Sequence, residues 1–105
     1  PQNPNYQGRY EGDQPTRDAA YHQGTAWPWL LGHFVEAHYK LHGKAGNAIA
    51  KTILDSFCED MQKHGVCGVA EVYDGDPPQR PGGCISQAWS VSELLRIKKL
   101  YDQNQ

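Results

Sequence analysis

The stretch from Trp27 to His42 places apolar residues almost all the way round a helix: Trp27, Trp29, Leu30, Leu31, Phe34, Val35, Ala37, Tyr39 and Leu41. A helix of that kind is normally buried on most of its sides, and Gly43 stands where it should stop. From Asn47 to His64 the pattern changes: Ile49, Ala50, Ile53, Leu54, Phe57 and Met61 fall at helical spacing, and Lys51, Asp55, Glu59, Asp60 and Lys63 take the remaining positions. This second helix has a solvated face, with Asn47 as its expected N-cap and Gly65 as its expected stop. A third helix, about Ser86 to Asp102, spreads Ala88, Trp89, Val91, Leu94, Leu95, Ile97, Leu100 and Tyr101 over a broad face. It is expected to be more buried than the second. An amphipathic helix between two buried ones suits a two-layer helical array, where inner helices touch several neighbours and outer helices touch them on one side. Three helices cannot hide two inner ones. The pattern therefore predicts an all-α chain that is the last portion of a larger α/α array, or that covers its apolar faces with copies of itself.

At 105 residues, 38% hydrophobic and 21% charged, the chain is at most one globular unit with a thin core. Residues 1 to about 20 form a polar lead-in rich in Pro, Gly, Asn and Gln, expected to be extended or loop, ahead of a helical part over 21–105. A net charge of -2 without basic runs argues against nucleic acid or an anionic membrane as partner. Cys58, Cys67 and Cys84 are odd in number and spaced unlike a disulfide framework or a zinc site, which favours reduced thiols in a cytoplasm, acting as packing residues. No apolar stretch approaches the roughly 20 residues of a membrane span, and the N-terminus lacks signal-peptide features. A soluble, cytoplasmic chain is expected, either whole or cut from something longer.

The chemistry concentrates in two places. Tyr21-His22-Gln23-Gly24-Thr25-Ala26-Trp27-Pro28-Trp29 brings aromatic rings, an imidazole and a carboxamide to the approach of the first helix. A pyranose ring offers an apolar CH face to an aromatic plane and a rim of hydroxyls to hydrogen-bonding groups, so this mixture suits sugar binding. The connection from Cys67 to Ile85 is long enough to need a reason, and it carries Glu71, Tyr73, Asp74, Asp76 and Arg80 among prolines and glycines expected to shape it without regular secondary structure. Blander readings stand beside these. The loop carboxylates can be ordinary turn residues, the tryptophans can be core aromatics, and Trp29 is assigned to the core. His38 and His42, at i, i+4, have zinc-compatible spacing but no third ligand in sequence, so no metal is expected and both are assigned to solvent.

The segments Tyr21–Leu30, Glu71-Val72-Tyr73-Asp74-Gly75-Asp76-Pro77-Pro78 and Gly83-Cys84-Ile85-Ser86-Gln87-Ala88-Trp89-Ser90, in that order, resemble the C-terminal end of amylo-α-1,6-glucosidases, the glucosidase portion of glycogen debranching enzymes. The resemblance runs from about Gly8 to Tyr101. It implies an (α/α)6 toroid like that of glucoamylases, with the first and third helices inner and the second outer. It also implies Glu71 as the catalytic base, with Tyr21, His22, Gln23, Trp27, Tyr73, Gln87 and Trp89 lining the substrate site; Asp74 is the replacement if Glu71 is not the base. Inverting hydrolysis needs a carboxylic acid and a carboxylate about 6.5 to 9.5 Å apart. The family's acid lies in an earlier loop, before Pro1. The resemblance thus implies a part of a hydrolase of α-1,6 branch linkages in glycogen or a similar branched α-glucan, without metal or organic cofactor, and inactive on its own. Its other partner is the missing N-terminal part of the toroid, or another copy. The alternative is a non-catalytic carbohydrate-binding or interaction module. A reading frame running several hundred residues upstream to a second loop carboxylate marks the enzyme; one opening near Pro1 marks the module.

Overall fold

In the computed structural model, which describes residues 3–64 and 67–105, the chain is mostly helical. The elements are α1 (Gln14–Ala20), α2 (Leu31–His42), α3 (Asn47–Lys63), β1 (Val72–Tyr73), β2 (Pro81–Gly82) and α4 (Ala88–Gln103), with short 3-10 turns at Pro28–Leu30 and Gly43–Gly46. Among the described residues no helix is long and apolar enough to cross a membrane.

α1 corrects the expectation of a structureless lead-in. Asp13 caps it by accepting from the Thr16 amide at 3.1 Å, and Pro15 occupies the first turn, where the missing N–H costs nothing. Gly43 ends α2 as expected, with φ +55, a conformation that disfavours side chains. Asn47 opens α3 but does not cap it. Its side chain accepts from the Tyr39 hydroxyl at 2.7 Å and donates to the Asn104 carbonyl at 2.9 Å, so tertiary bonds take the carboxamide a cap would use. α3 ends at Lys63 with the His64 amide bonded to the Asp60 carbonyl; the stop assigned to Gly65 lies outside the described residues. The long connection is not free of regular structure either: Val72 pairs with Gly82 and Tyr73 with Pro81 in a minimal antiparallel ladder.

Pairs along α2 and α4 advance together. Trp29 stacks on Trp89, an added Cβ on Gly32 would strike the Glu93 side chain, and Glu36 bonds Arg96, so the two helices run parallel. α3 runs against both, since Asn47 lies beside the end of α4 while Asp60 reaches the hairpin at Tyr73. The core gathers Val35 of α2, Ala50 of α3, Leu94 and Ile97 of α4, and Val69, Ala70 and Tyr73 of the hairpin segment. α3 buries one stripe and solvates the rest, where exposed i, i+4 pairs such as Lys51–Asp55 add little because water screens them.

Two expectations about burial change. α2 is covered on one side only, with Phe34 46% and Leu41 77% exposed, and Leu95 of α4 is 67% exposed. Their outward apolar faces have no neighbour among the described residues. The cysteines are all exposed rather than packed, because Cys58 falls on the solvated side of α3 and Cys67 and Cys84 on the outside of the connection.

Ser90 is the described residue whose buried side-chain oxygen has no hydrogen-bond partner. An unsatisfied buried hydroxyl costs about 1–3 kcal/mol, so Ser90→Ala is expected to be neutral or to stabilise by about 1 kcal/mol in urea unfolding. A clear destabilisation would show that the hydroxyl serves a group outside these residues.

Candidate active site

Glu71 sits where three segments meet. Its amide donates to the Cys84 carbonyl at 2.9 Å, the Gln87 amide donates to the Val69 carbonyl at 2.9 Å, and Tyr73 exchanges backbone bonds of 2.8 and 2.9 Å with Ala26. The rail from Val69 to Asp74 is thus tied to the start of α4 through one set of bonds and to the approach of α2 through the other. Parallel helices put both of those starts at one end of the array.

Both carboxylate oxygens of Glu71 are held. The Tyr21 hydroxyl donates to Oε1, and the Cys84 amide donates to Oε2 at 3.0 Å. A carboxylate offers about four acceptor sites, so two remain open. Gly83, at φ +67, lies so close that a Cβ there would stand 2.6 Å from Oε2. The Tyr21 phenol is pushed up to about 12, chiefly by its bond to the carboxylate and then by desolvation. It therefore remains protonated, and remains a donor, well above neutral pH.

The aromatic residues form one cluster beside this carboxylate. Tyr21 meets Trp27 edge-on at 4.6 Å between centroids, His22 lies parallel to Trp27 at 5.3 Å, and Trp27 meets Trp89 edge-on at 6.1 Å. A turn wound on the Tyr21 carbonyl sets the geometry: that oxygen accepts from the Thr25 hydroxyl at 2.6 Å and from the Trp27 indole at 3.2 Å. Gly24 is required by close approach, since a Cβ there would lie 2.2 Å from the Gln7 carbonyl oxygen.

The structure thus brings Tyr21, His22, Trp27 and Trp89 together with Glu71. Gln23 is exposed at the margin, its carbonyl accepting from the Gln7 amide at 2.9 Å. Two expected contact residues are committed to the fold instead. Tyr73 is buried, bonds Asp60 of α3 at 2.6 Å and packs edge-on against Phe57; burial and that bond push its phenol well up. Gln87 spends its side-chain oxygen capping the Ala88 amide at 3.0 Å. Trp29, assigned to the core, is half-buried and stacks on Trp89 at 5.8 Å, which extends the cluster.

Asp74, the replacement for Glu71, is a buried structural anion. It accepts from the Tyr10 amide at 2.8 Å, Arg9 at 3.1 Å and Arg80 at 2.9 Å. Burial alone would raise its pKa; the Tyr10 amide, Arg80 and Arg9 outweigh that and hold the carboxyl below its usual range. Asp76 accepts from the Tyr6 hydroxyl at 3.0 Å. Of the three loop carboxylates, only Glu71 bonds the Tyr21–Trp29 motif among the described residues. The sequence carried no sign that Arg9 and Tyr10, in the polar lead-in, would brace the loop, or that the Cys84 backbone would hold Glu71.

A groove of about 530 Å³ borders α3, between Trp27, Pro28, Phe57, Lys63 and Pro78, and does not include Glu71. His38 and His42 lie one turn apart on α2, with centroids 5.3 Å apart; His38 is half-buried against Phe34 and His42 is exposed.

The model of the amylo-alpha-1,6-glucosidase family matches residues 1–96, which include every member of the Glu71 cluster. The chain belongs to this family. No solved structure matches it. Family membership sets the chain among glycoside hydrolases of glycogen debranching. In this member of the amylo-alpha-1,6-glucosidase family, a loop carboxylate and an aromatic cluster stand side by side.

Proposed function

We propose that this chain is the part of an (α/α)6 glucosidase toroid that supplies the catalytic base, Glu71, for inverting hydrolysis of α-1,6-glucosidic branch linkages in glycogen-like glucans. The observation that carries this is the Glu71 carboxylate, gripped at both oxygens and set beside the Tyr21, Trp27 and Trp89 rings. Glu71 uses a free lone pair to take a proton from water as the water oxygen attacks the anomeric carbon. The bond to the leaving 6-oxygen breaks as a carboxylic acid from an earlier loop of the toroid protonates it. The products are glucose with inverted configuration and the unbranched chain, with the proton left on Glu71. The faces of Trp27 and Trp89 hold the apolar side of the sugar and keep bulk water from the reacting bond.

The (α/α)6 arrangement also accounts for the uncovered faces of α2 and α4, which adjoin the remaining inner helices of the toroid. Inversion is tested by proton NMR of the first glucose released by the full-length protein, expected as the β-anomer. Release of the α-anomer would overturn the mechanism. The 105-residue chain alone is expected to release no glucose and to self-associate in sedimentation through Phe34, Leu41 and Leu95. A monodisperse monomer over a wide concentration range would argue for an independent module.

A further inference from the structure

We propose that Tyr21 is a positioning residue for the base, whose hydroxyl orients the Glu71 carboxylate, rather than a sugar contact. This rests on the assignment of Glu71 as base, and it gives Tyr21 a role different from that of its aromatic neighbours.

The phenol has a single proton to donate, and it is directed at Glu71 Oε1. The Cys84 amide holds the other oxygen at 3.0 Å. The terminal torsion of a glutamate is otherwise broad and poorly determined, so two donors on two oxygens fix the plane of the carboxylate and with it the direction of the remaining lone pairs. Tyr21 is itself well anchored. Its carbonyl receives both Thr25 and Trp27, and its ring is walled by Tyr10 at 5.7 Å, His22 at 4.9 Å and Trp27 at 4.6 Å. The raised phenol pKa keeps the donor intact across the pH range in which the base works. Phenylalanine would preserve every ring contact and lose only this bond.

The test compares Tyr21→Phe, Glu71→Gln and the double variant in the full-length protein with a branched α-glucan. Tyr21→Phe is expected to lower kcat about 10- to 100-fold with KM little changed, as for loss of one bond to a charged group. In the Glu71→Gln background the same change should cost little more. A raised KM with unchanged kcat would make Tyr21 a sugar contact and overturn the proposal; so would an equal loss in both backgrounds. Near-normal turnover by Glu71→Gln would instead remove the base assignment itself. Should Tyr21→Phe fold poorly, a polyfluorinated tyrosine at position 21 keeps the ring but ionises near neutrality. It is expected to add an alkaline loss of kcat, and its absence would overturn the proposal.

Discussion

Replacing Glu71 with glutamine in the full-length protein is expected to lower kcat by about three powers of ten while KM stays within a small factor of its original value. The substitution preserves shape, and the carboxamide oxygen can still accept from Tyr21 or from the Cys84 amide. It removes the ability to take a proton from water, a group needed only as the transition state forms, which is why turnover falls and binding does not. Steady-state kinetics on a branched α-glucan measure it directly. Near-normal turnover would sink the assignment. A larger loss of turnover in a folded Asp74→Asn variant would transfer the role, although the three bonds that already occupy Asp74 point to a different outcome for that residue.

Asp74→Asn is expected to cost stability. The aspartate is 2% exposed and ties two parts of the chain together, the lead-in through Arg9 and the Tyr10 amide and the hairpin through Arg80. Replacing the anion weakens three charge-assisted bonds, but Arg9 and Arg80 are partly exposed and can turn to water, so the loss should be about 2–3 kcal/mol rather than the larger value of a fully buried pair. Urea unfolding of the full-length protein measures it. The folded carboxyl titrates below its ordinary value of 3.8, so its contribution is present above that value and lost as the pH falls through the lower folded pKa. The difference between wild type and variant should therefore shrink below about pH 4. A difference that persisted undiminished in stronger acid would show that packing, rather than the ion pair, is responsible.

The three main helices were legible because their signals are local. Apolar spacing located α2, α3 and α4, and Gly43 marked the stop of α2 through a property of its own backbone. The three quoted motifs were enough to indicate the family. α1 was legible in principle: Asp13, with Pro15 and Thr16 behind it, is a local start signal outweighed by the polarity of its surroundings. The hairpin was harder to see, because two residues on each side leave no periodicity to read.

What the sequence by itself determined is the set of helices, their order, and the presence in one chain of a loop carboxylate and a sugar-compatible aromatic motif. Tertiary structure decided what each polar group does. The Tyr21 hydroxyl meets Glu71 across 50 positions, Arg9 and Tyr10 reach Asp74 across more than 60, and Asn47 leaves capping to bind Asn104. Glu71 and Asp74 are both carboxylates in one loop, and no local pattern tells which of them faces the aromatic cluster and which is caged. The separation comes from the Val69–Asp74 rail, which turns one carboxylate toward Tyr21 and the aromatic cluster and the other into a cage of two arginines and an amide. Helix formation follows from neighbours a few residues apart, whereas a hydrogen-bonding group takes whichever partner the folded chain brings within about 3 Å.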